Sequence, residues 1–561
     1  MADPLASMVG AWLLPALLLW PLLGAALVRL VGRDGRTTAT RDDLGALPAD
    51  ALAAGGPDAR TLTLLVLLVE AALGAVAWLA VDPAVPRWQL AVDWPWLPEF
   101  GARLALGVDG VSLPMLVLTT SLMPLALLAT WRQVETRLPT YGALLLLLTS
   151  GLVGVFTAVD LLLFYLAWEL LLIPMYFLIG IWGGAGRSRA ALKYVLLTMS
   201  GSLLMLVAIA ALYVEGGARS FHLDDLTRLA LPASRQLWLF AAFFLAFAIK
   251  SALVPFHTWL PDAQSEAPAI GAVLLGLKVG TYALLRFAMP LFPLAVSHEL
   301  VRGTILVLAV AAIVHGALVA MVQPDLRRVL SYASISHLGF IMLGCFALTT
   351  TSVQGAVMLM VNHGITMSAL FLLAGWLRER SGSDALADHG ALARAVPLFA
   401  TMFVLSMMST IGLPGTNGFV GEFLVLLGAF PRAPLLTGVA TTGVVLAAVY
   451  ALRTVQHLLF VASPRTSADA SPHAGPLRVA GDLRGRDMGV MGVFALAMLW
   501  LGLAPQPVLR RVEPAATALV ARVDSARRLA TVGHAAAAVA AARSRPDAVQ
   551  PGPTPVRGHA R

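Results

Sequence analysis

The sequence predicts an all-α polytopic membrane protein with about fourteen transmembrane helices. Three observations carry that reading. Of the 561 residues, 58% are apolar and only 12% charged. Apolar stretches of roughly 20 residues, the length that crosses a bilayer, recur along the chain. And runs such as ALLLLLTSGLVGVFTAVDLLLFYLAW lack the polar–apolar alternation, over about ten residues, of a transmembrane barrel strand. In lipid each span must satisfy its own backbone polar groups, so helices follow.

Taken in order, the apolar runs place spans at 9–31, 61–81, 111–131, 141–158, 160–182, 191–214, 236–260, 267–293, 300–321, 327–348, 353–377, 397–428, 435–461 and 488–507. The first follows Met8, with Asp3 ahead of it and no basic leader, and therefore reads as a span rather than a cleaved signal. An even number of spans puts both termini on one side. Odd-numbered connections hold nineteen arginines and lysines against seven in the even-numbered ones, so the positive-inside bias predicts cytoplasmic odd connections and both termini outside. Those loops and the tail account for the net charge of +8 without invoking nucleic acid.

The domain reading is 1–140 for spans 1–3, 141–293 for a first five-helix repeat (spans 4–8) and 300–461 for a second (spans 9–13). A polar loop, 462–487, then leads to the last span, 488–511, and a polar, partly disordered tail, 512–561. Five is an odd number, so the second repeat would enter the membrane from the opposite side, giving two inverted repeats.

Ionisable residues in mid-span are the informative ones, because each costs about 2.5–3.5 kcal/mol at a helix centre on insertion scales. Four stand out: Glu169 in FYLAWELLLIPMYF, Lys250 in FLAFAIKSALVPFHTWLPDA, Lys278 in GAVLLGLKVGTYALLRF and Glu422 in GLPGTNGFVGEFLVLLGAF. His257, His337 and His363 add possible relay groups, whereas His315 reads better as a helix-contact residue. A series of groups able to hold and release a proton across a bundle is what proton transfer requires. Burial disfavours a charged amine and a nearby carboxylate favours it, so a moving charge could switch Lys250, and Glu169 is the expected neighbour. A static buried ion pair would explain either residue alone, but it explains the whole series less well. Glu70 could face a partner or a local hydroxyl, Asp160 and Lys193 could reach the interface, and Asp109 could cap span 3.

Pro255 and Pro414 mark helix breaks. Proline removes a backbone hydrogen bond and clashes one turn back, and Gly412, Gly415 and Gly418 flank the second break. Broken helices persist in membranes where they are buried in protein or line a cavity, and a matching pair points to transporter repeats. The single cysteine, Cys345, excludes a disulfide framework and iron–sulfur ligation by cysteines of this chain.

The motifs LALGVDGVSLPMLVLTT, WELLLIPMYFLIGIWGG, KSALVPFHTWLPDAQSEAPAIGAVLLGLKVGTYALLRF, QPDLRRVLSYASISHLGF, GLPGTNGFVGEFLVLLGAF and LGLAPQPVL resemble the antiporter-like membrane subunits of proton-pumping NADH:quinone oxidoreductase (complex I), in particular the subunit M family. Most of these motifs are shared across that superfamily and with multisubunit cation/proton antiporters. Glu422 is more discriminating, since it looks like the subunit M glutamate where relatives usually carry lysine.

The resemblance implies that Glu169 matches the span 5 glutamate, Lys250 the broken-helix lysine, Lys278 the central lysine and Glu422 the terminal transfer residue. It further implies a proton-translocating subunit of a bacterial-type inner membrane, part of an enzyme complex but without redox catalysis, metal or cofactor of its own. NADH, flavin, iron–sulfur clusters and quinone would belong to partner subunits, and the partners would be other membrane subunits, including antiporter-like paralogues, and the bilayer. Alternatives are a subunit of a multisubunit sodium/proton antiporter or a related redox-driven ion pump and, with less support, a non-conducting structural subunit. His315, the connection SDALADHGALARAVP and the long tail depart from the family pattern.

Overall fold

The computed structural model describes residues 4–34, 58–461 and 481–543. Most of the predicted loop 462–487 and the end of the tail lie outside the described residues. Among the described residues, thirteen helices are long and apolar enough to cross a membrane, and two shorter apolar ones, Pro397–Thr410 and Asn417–Ala429, follow each other as the two parts of a further span. Together they account for fourteen. The largest boundary difference is at span 7, where the helix Ala233–Lys250 stops about ten residues before the end of its apolar run.

Burial sorts these helices. Every residue in the apolar window of span 11 (Thr350–Ser381) is buried, against a third in span 2 (Ala59–Ala80), span 13 (Pro434–Leu459) and span 14 (Arg486–Leu503). Span 11 is therefore the axis of the bundle. Span 10 (Leu326–Ala347) is nearly as enclosed, and the exterior carries exposed Leu79, Trp238, Leu300 and Leu435. An apolar exterior suits a bilayer.

Both predicted breaks are present. Span 7 stops at Lys250 and resumes as Trp259–Glu266, with Val254–Pro255 in the cis form between them. Span 12 breaks at 411–416, where Gly412 and Gly415 take φ of 72° and 92°, a left-handed backbone that glycine adopts without steric cost. Two further interruptions were not predicted. Span 5 is two helices, Leu161–Leu170 and Leu172–Trp182, because Pro174 cannot donate to the carbonyl one turn back. Span 8 is interrupted at 276–278, between Ala269–Leu275 and Val279–Ala283, and then passes through a π-turn, Leu284–Ala288.

The all-α reading holds, with one small addition: β1 (Gln89–Leu97) and β2 (Ala102–Val108) form an antiparallel hairpin in the connection before span 3, pairing Val92 with Leu106 and Trp94 with Leu104. The expected polar tail 512–561 begins inside a helix that runs from Gln506 to Arg543, across the expected boundary at 511. Its buried residues Val508, Val512, Ala515, Ala516, Leu519 and Val523 recur at i, i+4, i+7, i+8, i+11 and i+15, one helical stripe. That stripe packs on the protein. On its flanks Arg522 donates to the carbonyls of Thr227 and Pro290, Arg527 meets Glu299 at 3.3 Å and Asp524 meets Arg432 at 3.8 Å. All four partners lie in or beside even-numbered connections, so these share one face with the C-terminal helix.

Candidate functional site

Lys278 caps the second segment of span 8 and is 3% exposed. Burying an amine at a helix interruption leaves it near freed backbone groups rather than in a regular apolar stripe. His363 of span 11 lies close enough to interact electrostatically with both Lys278 and His337. The rings of His363 and His337 are 5.4 Å apart. His337 in turn places Nδ1 2.9 Å from Glu422 Oε1, with both side chains 5% exposed. Glu422 Oε1 has no aligned hydrogen-bond partner, so this is a close polar contact rather than a hydrogen bond. On its other edge His337 Nε2 stands 3.5 Å from the Tyr450 hydroxyl. Lys278, His363, His337 and Glu422 thus form one buried file across spans 8, 11, 10 and 12.

The second broken helix holds this file in place through residues the sequence reading did not single out. Asn417 begins the half-helix carrying Glu422 and is fully buried. Its amide donates to the Asn362 carbonyl at 3.2 Å, the Asn362 amide donates back to the Asn417 carbonyl, and Asn417 Oδ1 accepts from Ser409 and Thr366. This reciprocal bracket ties the start of the half-helix to span 11 and gives the buried Asn417 side chain its hydrogen-bond partners. His337, Asn362, His363, Thr366 and Glu422 also line a small polar cavity. The NHG of span 11 and the TNG after the break were the available sequence signals.

At the other end, Lys250 is the last residue of its half-helix. Its Nζ donates to the Tyr194 hydroxyl at 3.2 Å and lies 5.2 Å and 5.6 Å from the centres of the Tyr194 and Trp168 rings. A helix C-terminus and aromatic faces both attract a cation. Glu169 follows Trp168 just before the interruption of span 5, with Oε1 buried and unpartnered. The expected Glu169–Lys250 neighbour pair is not closed: among the described residues no ion pair joins them, because Trp168 and Tyr194 surround the amine. Gly280 seats span 8 directly against this break. A Cβ there would lie 2.8 Å from the Phe247 carbonyl oxygen and 2.9 Å from the Ser251 nitrogen.

His257 is not in the central file. Its Nε2 lies 3.3 Å from Nε2 of His315 on span 9 (Glu299–Met321), so His315 contacts another titratable ring rather than only filling a helix contact. Nearby, Lys193 donates to the Thr258 carbonyl and to Asp262, both at 2.7 Å. Asp160 is a buried N-cap, accepting from Leu162 and Leu163 at 2.9 and 3.0 Å. Asp109 caps span 3 (Ser112–Ala129) as expected and also pairs with Arg286 at 2.9 Å. Glu70 meets no hydroxyl: it is fully buried, and neither carboxylate oxygen has a hydrogen-bond partner among the described residues.

Comparison with known proteins places the chain in a family. Residues 158–448, which contain the file and both breaks, match the family described as NADH:quinone oxidoreductase/Mrp antiporter, transmembrane. The chain belongs to that family. NADH-quinone oxidoreductase subunit M of Rhodobacter capsulatus is 38% identical over 89% of this chain and 94% of its own length. Its Escherichia coli K12 counterpart is 36% identical over 80% of this chain and 90% of its own length. Among solved structures, a chain of respiratory complex I from Thermus thermophilus with bound NADH superposes with a TM-score of 0.78 and 33% identity, over 91% of this chain and 99% of that one. The Mrp complex from Dietzia shares the fold of this NADH:quinone oxidoreductase/Mrp family, with a TM-score of 0.74 at 20% identity, covering 95% of this chain and 60% of that one.

Proposed function

We propose that this chain is a proton-translocating membrane subunit of a respiratory NADH:quinone oxidoreductase in a bacterial-type inner membrane, with both termini on the periplasmic side. The buried file Lys278–His363–His337–Glu422 carries this reading. Four titratable side chains enclosed in a helix bundle have little packing purpose together, and each can hand a proton to the next. Redox chemistry in partner subunits, which would hold the flavin, iron–sulfur clusters and quinone site, alters the charge state of Glu169. Lys250 then releases a proton past the Ser251–Gly280 contact toward Lys278, and the histidines pass it to Glu422 for release outside. This chain supplies no redox step. The matching breaks of spans 7 and 12 support reading 141–293 and 300–461 as inverted repeats around this axis.

The test is NADH-driven proton uptake together with quinone reduction in membrane vesicles carrying Glu422→Gln, with assembly of the complex checked alongside. Uptake should fall by about tenfold or more, as expected if at least ~1.4 kcal/mol is added to the transfer barrier. Unchanged uptake in an assembled complex would sink the relay. The family match also admits a sodium/proton antiporter subunit, and transport that persists without quinone turnover would favour that reading instead.

A further inference from the structure

Apart from the proton file, a cleft of about 430 Å³ lies between spans 2, 3, 11 and 14, walled by Trp78, Leu79, Leu122, Ile365, Phe494 and Trp500. Val508 of the C-terminal helix also contributes to the lining, in which Ser121 is the only hydroxyl among the described residues. Along span 3 the cleft runs from Pro114 to Leu125, about 16 Å at ~1.5 Å per residue. That is close to half of the ~30 Å hydrocarbon core, the depth of one leaflet. Leu79 and Trp500 are 82% and 50% exposed, so the cleft opens sideways toward the bilayer.

Arg511 lies three residues beyond Val508 on the C-terminal helix, over Trp78 of the lining. Its guanidinium lies 4.1 Å from the centre of the Trp78 ring and donates to the carbonyls of Pro507 and Trp78 at 3.0 and 3.3 Å. Its Nε is buried with no partner, and among the described residues no carboxylate pairs with it. An uncompensated cation at the edge of an apolar cleft one leaflet deep, with terminal guanidinium N–H groups beyond the two given to carbonyls, complements a phosphate carried on an acyl chain. We propose that this cleft holds one acyl chain of a glycerophospholipid, with its phosphate on Arg511. The site is independent of the proton reading, and its lipid would wedge span 14 and the C-terminal helix against spans 2, 3 and 11.

The intact complex, reconstituted with phosphatidylglycerol bearing a diazirine part-way along one chain, supplies the test. Photolysis should concentrate adducts on span 3 between Ser121 and Leu125 and on span 14 between Val493 and Ala497. Adducts spread evenly over the lipid-facing spans would overturn the site, as would a partner subunit's side chain found cross-linked in the cleft. Arg511→Gln should lower this labelling about tenfold, the loss expected for one charge-assisted hydrogen bond, and Arg511→Lys should retain most of it. Equal labelling by a diazirine alkane without a headgroup would overturn the phosphate contact. Inorganic phosphate, having no chain, yields no adduct and serves as a competitor for Arg511 alone.

Discussion

Lys250 and Glu422 are stabilised in the membrane interior by different neighbours, and the difference predicts different mutant behaviour. Lys250 relies on a helix end, the faces of two aromatic rings and the Tyr194 hydroxyl at 3.2 Å. Tyr194→Phe removes only the hydroxyl. Hydrogen bonds to charged groups are worth about 1.5–3 kcal/mol, so NADH-driven proton uptake should drop at least several-fold while the complex still assembles. Uptake equal to wild type would show that the hydroxyl does not hold the amine. Glu422 depends instead on the fixed start of its half-helix. Asn417→Ala removes the acceptor for Ser409 and Thr366 and the donor to Asn362. Each buried group left unpaired costs about 1–3 kcal/mol, so a thermal-unfolding measurement on the purified complex should show a lowered midpoint. The NHG and TNG motifs flag Asn362 and Asn417 individually, but 55 positions separate them, so their pairing could not be read in advance.

At the scale of elements, the breaks separate what the sequence announced from what it concealed. Pro255 and the Gly412–Pro414–Gly415 cluster declare interruptions by chemistry that acts on the local backbone, and both appear. The interruption at 276–278 has only Gly276 in an apolar run, which helices tolerate at a cost of about 1 kcal/mol, so it was invisible. It forms because span 8 must pass closely over the span 7 break at Gly280. Gly280→Val should therefore force the two apart, since the obstructing atoms include backbone that cannot rotate away. Loss of assembled complex, read on native gels, is the expected result, and normal assembly would refute the close approach. The hairpin was missed because Pro95 lies inside β1, and a proline within a run argues against a strand. The connection after span 11 adds a pH dependence. His389 is buried, with Nε2 3.1 Å from the Ser383 carbonyl, and burial lowers its pKa. A lowered folded-state pKa means that its stabilisation is fully present above the ordinary histidine value of ~6.5 and is lost as pH falls through the folded value. Proteolysis of that connection should rise on acidification, and His389→Gln should flatten the response.

For the whole molecule, the C-terminal helix is the element whose importance composition most obscured. Alanines and arginines made 512–561 look like a solvated tail, yet the stripe from Val508 to Val523 has the spacing of a packed helical face and was legible in principle. Its contacts reach Trp78 at the end of span 2, Thr227, Pro290, Glu299 and Arg432, which belong to separate parts of the chain. Individually the exposed ion pairs contribute about 0–1 kcal/mol each. The apolar stripe and the buried Arg511 contacts contribute more, since burying a single Val or Leu side chain is worth about 1.5–3 kcal/mol. Ending the chain after Pro505 removes all of them at once while leaving span 14 intact. Hydrogen exchange should then accelerate in 216–232 and 292–298, the connections the helix covers, with the proton file in spans 10 and 11 still protected. If exchange in those connections is unchanged, the helix is a passenger on that face; if spans 10 and 11 also lose protection, the helix supports the bundle itself rather than only its surface.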